Sequence, residues 1–170
     1  MRVLFGVAAA ILLVACSPGT QTNIPESMAK APPKGEATDT TRAANAAVAD
    51  RLLLEDTSDF VDATRGLLAQ LKQDTITDVD GNVVWQVSRR DFIDGDSPDT
   101  VNPSLWRQER LNSEHGLFEV MDGIYQVRGY DLAVMSVIRG DPGWILVDPL
   151  LRQETAAAAL GLVTVTLGNR

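Results

Sequence analysis

The part of the chain that most constrains the fold is an alternation of β-forming runs and tight-turn signals. Four such runs occur, at residues 117–121, 124–127, 132–139 and 144–147. Asp122-Gly123 separates the first two, and a Gly-Asp-Pro-Gly segment separates the last two. Because Asp-Gly and similar glycine-containing turns close antiparallel hairpins, the pattern predicts two consecutive hairpins in one antiparallel sheet.

A carboxylate and a helical segment follow the last run. Asp148 comes directly after the run, and the Ala-rich segment 153–162 predicts a helix, with residues 164–166 fraying or drifting towards strand. A sheet that leads into a helix is an α+β arrangement. A carboxylate at the carboxyl end of a strand is well placed to face a site, so Asp148 is a candidate functional residue. The alternative is that Asp148 caps the turn before the helix.

Three further helices are predicted upstream of the hairpins. Apolar residues at helical spacing predict helices over 40–53 and 59–72, with Ser58 as the N-cap of the second. Asn102 followed by proline is typical of a helix start, so a short helix is predicted over 103–111.

A short hairpin is predicted between the second and third of these helices. Asp80-Gly81 separates two β-forming runs, 75–79 and 83–87. This dipeptide favours a tight hairpin turn. The two long hairpins are therefore preceded by two helices and a short hairpin, with the short helix 103–111 following that hairpin.

The N-terminus is typical of an exported protein. Residues 3–15 carry no polar side chain, and the segment is shorter than the roughly 20 residues that a membrane span needs. Leu-Val-Ala-Cys at 13–16 resembles the bacterial lipobox, which predicts a signal peptide at 1–15 and acylation of Cys16. Ser17 after the cysteine predicts sorting to the outer membrane, facing the periplasm. The alternative is an ordinary signal peptide with an incidental cysteine.

A linker and one domain are predicted after the signal peptide. Residues 16–37 hold four of the eight prolines and almost no large apolar side chain, which predicts a linker. Residues 38–170 then form the folded domain. The formal net charge of −8 argues against a nucleic-acid partner. With one cysteine and one histidine, the chain has neither a Cys-based zinc cluster nor a His-x-x-x-His metal pair.

Five segments together resemble the N-terminal part of the bacterial alkyl (linear primary) sulfatases, a family of the metallo-β-lactamase superfamily. They are DFI at 91–93, NPSLWR at 102–107, LNSEHGLF at 111–118, GIYQVRGYD at 123–131 and GWILVDPL at 143–150. Each motif is short, and the order and spacing of all five carry the resemblance, which covers roughly residues 38–162.

The resemblance implies an αββα sandwich, of which this chain would hold an incomplete N-terminal part. It also implies two zinc ions between the sheets and hydrolysis of a medium-chain alkyl sulfate such as dodecyl sulfate. Bound zinc lowers the pKa of water towards about 7 and so supplies the nucleophile. Family members also carry a helical dimerisation domain, so the resemblance implies a homodimer.

The family's metal ligands lie in a Thr-His-x-His-x-Asp-His segment that no position of this chain matches. We therefore assign no zinc ligand and no catalytic residue, and we expect a truncated domain that is inactive alone. By resemblance, Asp148 would support the metal ligands without binding metal itself. His115 is interpreted either as a hydrogen-bonding structural residue or as part of the wall of the substrate cleft.

The sequence leaves a second function open. The chain could be a non-enzymatic surface lipoprotein module that binds a partner or an amphiphile. A half sandwich should expose the apolar face that the missing sheet would cover, and should therefore aggregate. An independent module should instead unfold in one sharp transition.

Overall fold

The computed structural model describes residues 35–169. The predicted signal peptide at 1–15, the predicted acylation site Cys16 and the predicted linker up to residue 34 lie outside the described residues. Within residues 35–169, no helix combines the length and the apolar character that crossing a membrane requires.

Residues 35–169 form a mixed α+β domain. Its elements in chain order are α1 (Asp39–Ala49), α2 (Ser58–Thr64), β1 (Leu67–Ala69), β2 (Thr75–Thr77), β3 (Val83–Gln86), a 3-10 helix (Val87–Arg90), α3 (Pro103–Leu111), β4 (Gly116–Met121), β5 (Ile124–Arg128), β6 (Met135–Arg139), β7 (Trp144–Val147) and α4 (Gln153–Leu167). Five strands form an antiparallel sheet in the order β1-β4-β5-β6-β7, and β2 pairs with β3.

The turn signals of the two long hairpins and the cap signal at Asn102 predicted their elements correctly. The hairpins β4–β5 and β6–β7 form as predicted, and Gly123 adopts a φ of 75° in the first turn. Helix α3 has the predicted bounds, and the Asn102 side chain accepts a hydrogen bond from the Ser104 amide at 2.9 Å. These elements depend on residues adjacent in sequence, which explains the agreement.

The predicted helix 59–72 was wrong in its second half. Helix α2 ends at Thr64, and Gly66 then adopts a φ of 75°, which leads the chain into strand β1 beside β4. The Glu119 amide donates to the Gly66 carbonyl at 2.8 Å, so the chain there pairs with the sheet. The predicted N-cap was also wrong, because Thr57 holds that position.

Several other boundaries differ from the prediction. Helix α1 ends at Ala49 rather than at residue 53, and α4 continues to Leu167, so residues 164–166 are helical. Strand β6 begins only at Met135. Residues 129–134 instead form the loop between β5 and β6, which we call the β5–β6 loop.

The core lies between one face of the large sheet and helix α4. Leu117, Val127 and Met135 align across three neighbouring strands and are at most 1% exposed. Ala159 and Val163 of α4 are fully buried in the same cluster. The opposite face of the sheet is more open, and on β7 its Ile145 and Val147 are 56% and 51% exposed.

Candidate functional site

The candidate site residues lie at one end of the strands of the large sheet. The register pairs Gly116 with Arg128, Val127 with Met135, and Ser136 with Val147. The starts of β4 and β6 and the ends of β5 and β7 therefore lie at the same end of the strands. This end of the sheet carries His115, the β5–β6 loop and Asp148, and we call it the site edge.

Asp148 lies exposed at the site edge, directly after β7. Its φ is 53°, and the φ of Leu150 is 73°. Non-glycine residues held in this left-handed region cost about 1–3 kcal/mol each and cluster at functional sites. The N-cap position of α4 is Arg152. The predicted role of Asp148 beside a metal centre stays a prediction.

The Asp131 carboxylate connects the β5–β6 loop to the start of α4. Asp131 is 7% exposed. One oxygen accepts from the Leu132 amide at 2.6 Å, and the other accepts from the Leu151 amide at 3.0 Å and the Thr155 hydroxyl at 2.6 Å. Residues 148–150 lie in sequence just before two of these donors. Asp131 therefore holds the segment that carries Asp148.

The environment of Asp131 favours its charged form. Burial alone would raise the pKa of this carboxyl group. The hydrogen bonds from Thr155 and from the amides of Leu132, Leu151 and Arg152 outweigh burial, so the pKa of Asp131 lies below its ordinary value. With its oxygens already accepting these bonds, the carboxylate holds structure and is poorly placed to take a metal.

His115 is half-buried immediately before β4. Its Nδ1 lies 3.2 Å from the Ser113 carbonyl, and the Gln70 side chain donates to the His115 carbonyl at 3.0 Å. The imidazole lies 5.9 Å from the Tyr130 ring. His115 also lines a cavity of about 240 Å³ together with Asp74. Both interpretations of His115 therefore stay predictions.

The residues of the site edge do not fit a zinc pair. Within residues 35–169, no group of three or more His, Cys, Asp or Glu side chains could hold a metal ion. His115 and Asp148 are separated by three strand spacings, or about 14 Å at the backbone. We therefore assign no chemical step to zinc through these residues.

Sequence reasoning did not single out Asp131 or Thr155. Asp131 lies in a segment that carries the family resemblance, but its role depends on a partner 24 residues away. A buried carboxylate requires hydrogen-bond partners, and sequence alone does not identify a distant partner. The available signal was an acid placed between two β-forming runs.

Helix α4 packs on one face of the antiparallel sheet, and the chain reaches it from the last strand through Asp148. This arrangement is part of an α+β sandwich. No protein-family model matches the sequence. Individual proteins do match. The chain is 49% identical over 128 residues to a linear primary-alkylsulfatase of Pseudomonas sp.. The matched residues are 74% of this chain and 19% of that protein.

Two further relatives agree with the first. An alkyl/aryl-sulfatase, BDS1 of Saccharomyces cerevisiae, is 45% identical over 120 residues, covering 70% of this chain and 19% of that protein. The solved structure of the stereoselective inverting sec-alkylsulfatase Pisa1 from Pseudomonas sp. matches with a TM-score of 0.69 and 48% identity, covering 76% of this chain and 20% of that chain.

These comparisons confirm the resemblance to the alkylsulfatases. About three quarters of the chain is homologous to a segment of these proteins, and its fold is part of their metallo-β-lactamase-type sandwich. The chain spans about a fifth of the length of the curated relatives it matches.

Proposed function

We propose that this chain is a segment of an alkylsulfatase that hydrolyses alkyl sulfate esters such as dodecyl sulfate. The observation that carries the proposal is the 49% identity over 128 residues to a linear primary-alkylsulfatase. The TM-score of 0.69 to a sec-alkylsulfatase supports it from the fold. The non-enzymatic lipoprotein module is less favoured, because these similar proteins are named as alkylsulfatases.

In this proposal the segment supplies one wall of the site. The Asp131 carboxylate holds the start of α4, and residues 148–150 present Asp148 at the end of β7. Because hydrogen bonds already fix residues 148–150, this wall can position a substrate without losing further conformational entropy on binding. The chemical groups that break the ester bond are not assigned to this segment.

Two zinc ions and a homodimer belong to the proposal for the whole enzyme. The 170-residue chain carries a single histidine, and residues 35–169 do not fit a zinc pair. The chain alone should therefore retain no catalytic zinc and hydrolyse no dodecyl sulfate. Metal analysis and a sulfate-release assay test this, and stoichiometric zinc with hydrolysis would contradict it.

The identity of the whole protein has a direct genetic test. Reading the DNA downstream of codon 170 in all three frames should reveal a His-x-His-x-Asp-His stretch a short strand beyond the helix. Downstream DNA without such a stretch in any frame would count against the alkylsulfatase proposal.

We also propose that Cys16 anchors the protein to the outer membrane, facing the periplasm. The support is the Leu-Val-Ala-Cys sequence that ends an apolar run at residue 16. Labelled palmitate should be incorporated into the protein and lost in Cys16→Ala, while the neighbouring control Ser17→Ala should keep the label. A Cys16→Ala protein that still fractionates with membranes would contradict the anchor.

A further inference from the structure

A cavity at the site edge is lined mostly by residues that have no role in the proposed function. Its volume is about 300 Å³, and its lining includes Arg90, Arg128, Glu114 and most of the β5–β6 loop. Arg128 is the last residue of β5. Because it alternates with the core residue Val127, its side chain points to the open face of the sheet.

The Arg128 guanidinium is held in place by its neighbours. Its Nε donates to the Gln126 side chain at 3.0 Å, and the group lies over the Phe118 ring, 4.4 Å from the ring centre. Nη1 makes only a long contact of 3.5 Å with the Ala63 carbonyl. The guanidinium is therefore oriented in advance, and its terminal nitrogens keep donor capacity for another group.

Of the three partly buried arginines among residues 35–169, Arg90 and Arg107 form ion pairs and Arg128 does not. The ion pairs among residues 35–169 involve six other arginines and not Arg128. Burial lowers the pKa of Arg128, and among the described residues no carboxylate lies within ion-pair distance of its guanidinium. A half-buried cation without a counter-ion is an unfavourable arrangement that a bound anion would relieve.

Among the residues that the structure describes, none of the other charged groups that line the cavity is a counter-ion for Arg128. Arg90 pairs with Glu109 at 2.9 Å. The Asp131 carboxylate faces Thr155 and the start of α4. Glu114 is half-buried in the lining and is the one carboxylate there without an assigned partner among the described residues. It sets a limit on how strongly an anion can bind.

We propose that this cavity binds a sulfate group and that Arg128 is its main donor. The planar fork of a guanidinium matches two oxygens of a tetrahedral oxyanion. Leu132 and Val134 of the β5–β6 loop line the same cavity and are 73% and 41% exposed, so they offer an apolar surface for alkyl carbons. The choice of sulfate over other oxyanions rests on the proposed function.

The first test titrates the unmodified chain with inorganic sulfate, and separately with hexyl sulfate, at constant ionic strength set with chloride. Saturable shifts of the backbone amide signals of the β5–β6 loop are expected with at least one of the two. Tighter binding of hexyl sulfate would identify the alkyl ester as the source, and equal binding would identify free sulfate. The absence of saturable shifts with both would overturn the proposal.

The second test uses variants with a matched control. Arg128→Lys keeps the charge but loses the fork, so sulfate binding should weaken about tenfold, and Arg128→Ala should abolish it. Arg139→Ala is the control, because Arg139 also contacts an aromatic ring, that of Tyr125, but pairs with Asp122 at the opposite end of β6. Binding by Arg139→Ala should be unchanged.

The readouts separate this inference from the proposed function. Sulfate binding equal in Arg128→Ala and the unmodified chain would overturn the role of Arg128. If Arg128→Ala does not fold, the comparison of Arg128→Lys with Arg139→Ala decides. Since these titrations need no hydrolysis, their failure would leave the alkylsulfatase proposal standing, and failure of the genetic test would leave anion binding standing.

Discussion

The Thr155 hydroxyl donates a 2.6 Å hydrogen bond to the Asp131 carboxylate, which joins the β5–β6 loop to the first turn of α4. Both residues are buried, at 0% and 7% exposure. The Leu151 amide donates to the same carboxylate oxygen. The segment with left-handed residues at 148 and 150 is thus held from the loop on one side and from the helix on the other.

Removing either partner of this contact should destabilise the fold. Asp131→Asn turns an amide donor towards groups that are themselves donors and should cost about 1–3 kcal/mol in the free energy of unfolding. Thr155→Val keeps the shape but removes one donor and should cost about 1–2 kcal/mol. Urea unfolding of both single variants and the double variant measures their coupling. Costs that simply add would show that the contact contributes nothing specific.

The stability of the fold should fall in acid. Because the pKa of Asp131 is lower in the folded chain than its unfolded value of about 3.9, its contribution is fully present above that value and disappears as the pH falls through the folded pKa. Asp131→Asn should flatten this loss in urea unfolding measured across acidic pH. An equally steep loss in the variant would assign acid sensitivity to other carboxylates, such as Asp74 and Asp78.

Gly129 should tolerate no side chain. Its φ is 80°, and a Cβ there would lie 2.4 Å from the Cβ of His115. Gly81 has a φ of 84° and open space around it, so Gly81→Ala measures the backbone strain alone, about 1–2 kcal/mol. Gly129→Ala should lower the free energy of unfolding by about 1–3 kcal/mol more than Gly81→Ala does. Equal thermal shifts of the two variants would show that His115 moves aside freely.

The open face of the sheet should cause self-association of the chain. Ile145 and Val147 lie on β7, which is an edge strand. Exposed apolar edges favour strand-to-strand pairing. Ile145→Lys should therefore reduce the concentration-dependent light scattering of the purified chain. Val79→Lys replaces a fully exposed apolar residue outside this sheet and should have little effect on the light scattering. A monodisperse unmodified chain would contradict this prediction.

The elements that sequence predicted well are those fixed by neighbouring residues. Asp122-Gly123 and Asn102-Pro103 each define a turn or a cap through their own backbone preferences, and the structure has both where expected. The helix predicted over 59–72 failed because its apolar spacing continues past Gly66, whereas the chain turns there to pair with β4. Pairing with a distant strand overrides a local helical pattern.

The candidate site was predictable only in part. Asp148 is found at a strand end, as its position after a β-forming run indicated. Its left-handed backbone and its support by Asp131 depend on contacts made across the fold, which residue spacing does not encode. The exposed arginine-lined cavity likewise requires β5, the β5–β6 loop and the segment before β4 to be brought together.

The most direct test of the central claim is a chimera. The matched segment of the Pseudomonas linear primary-alkylsulfatase, 128 residues at 49% identity, is replaced by the corresponding residues of this chain. If the segment forms a wall of an alkylsulfatase site, the folded chimera hydrolyses a linear primary alkyl sulfate at a rate close to that of the parent. A chimera that folds as the parent does but releases no sulfate would contradict the account.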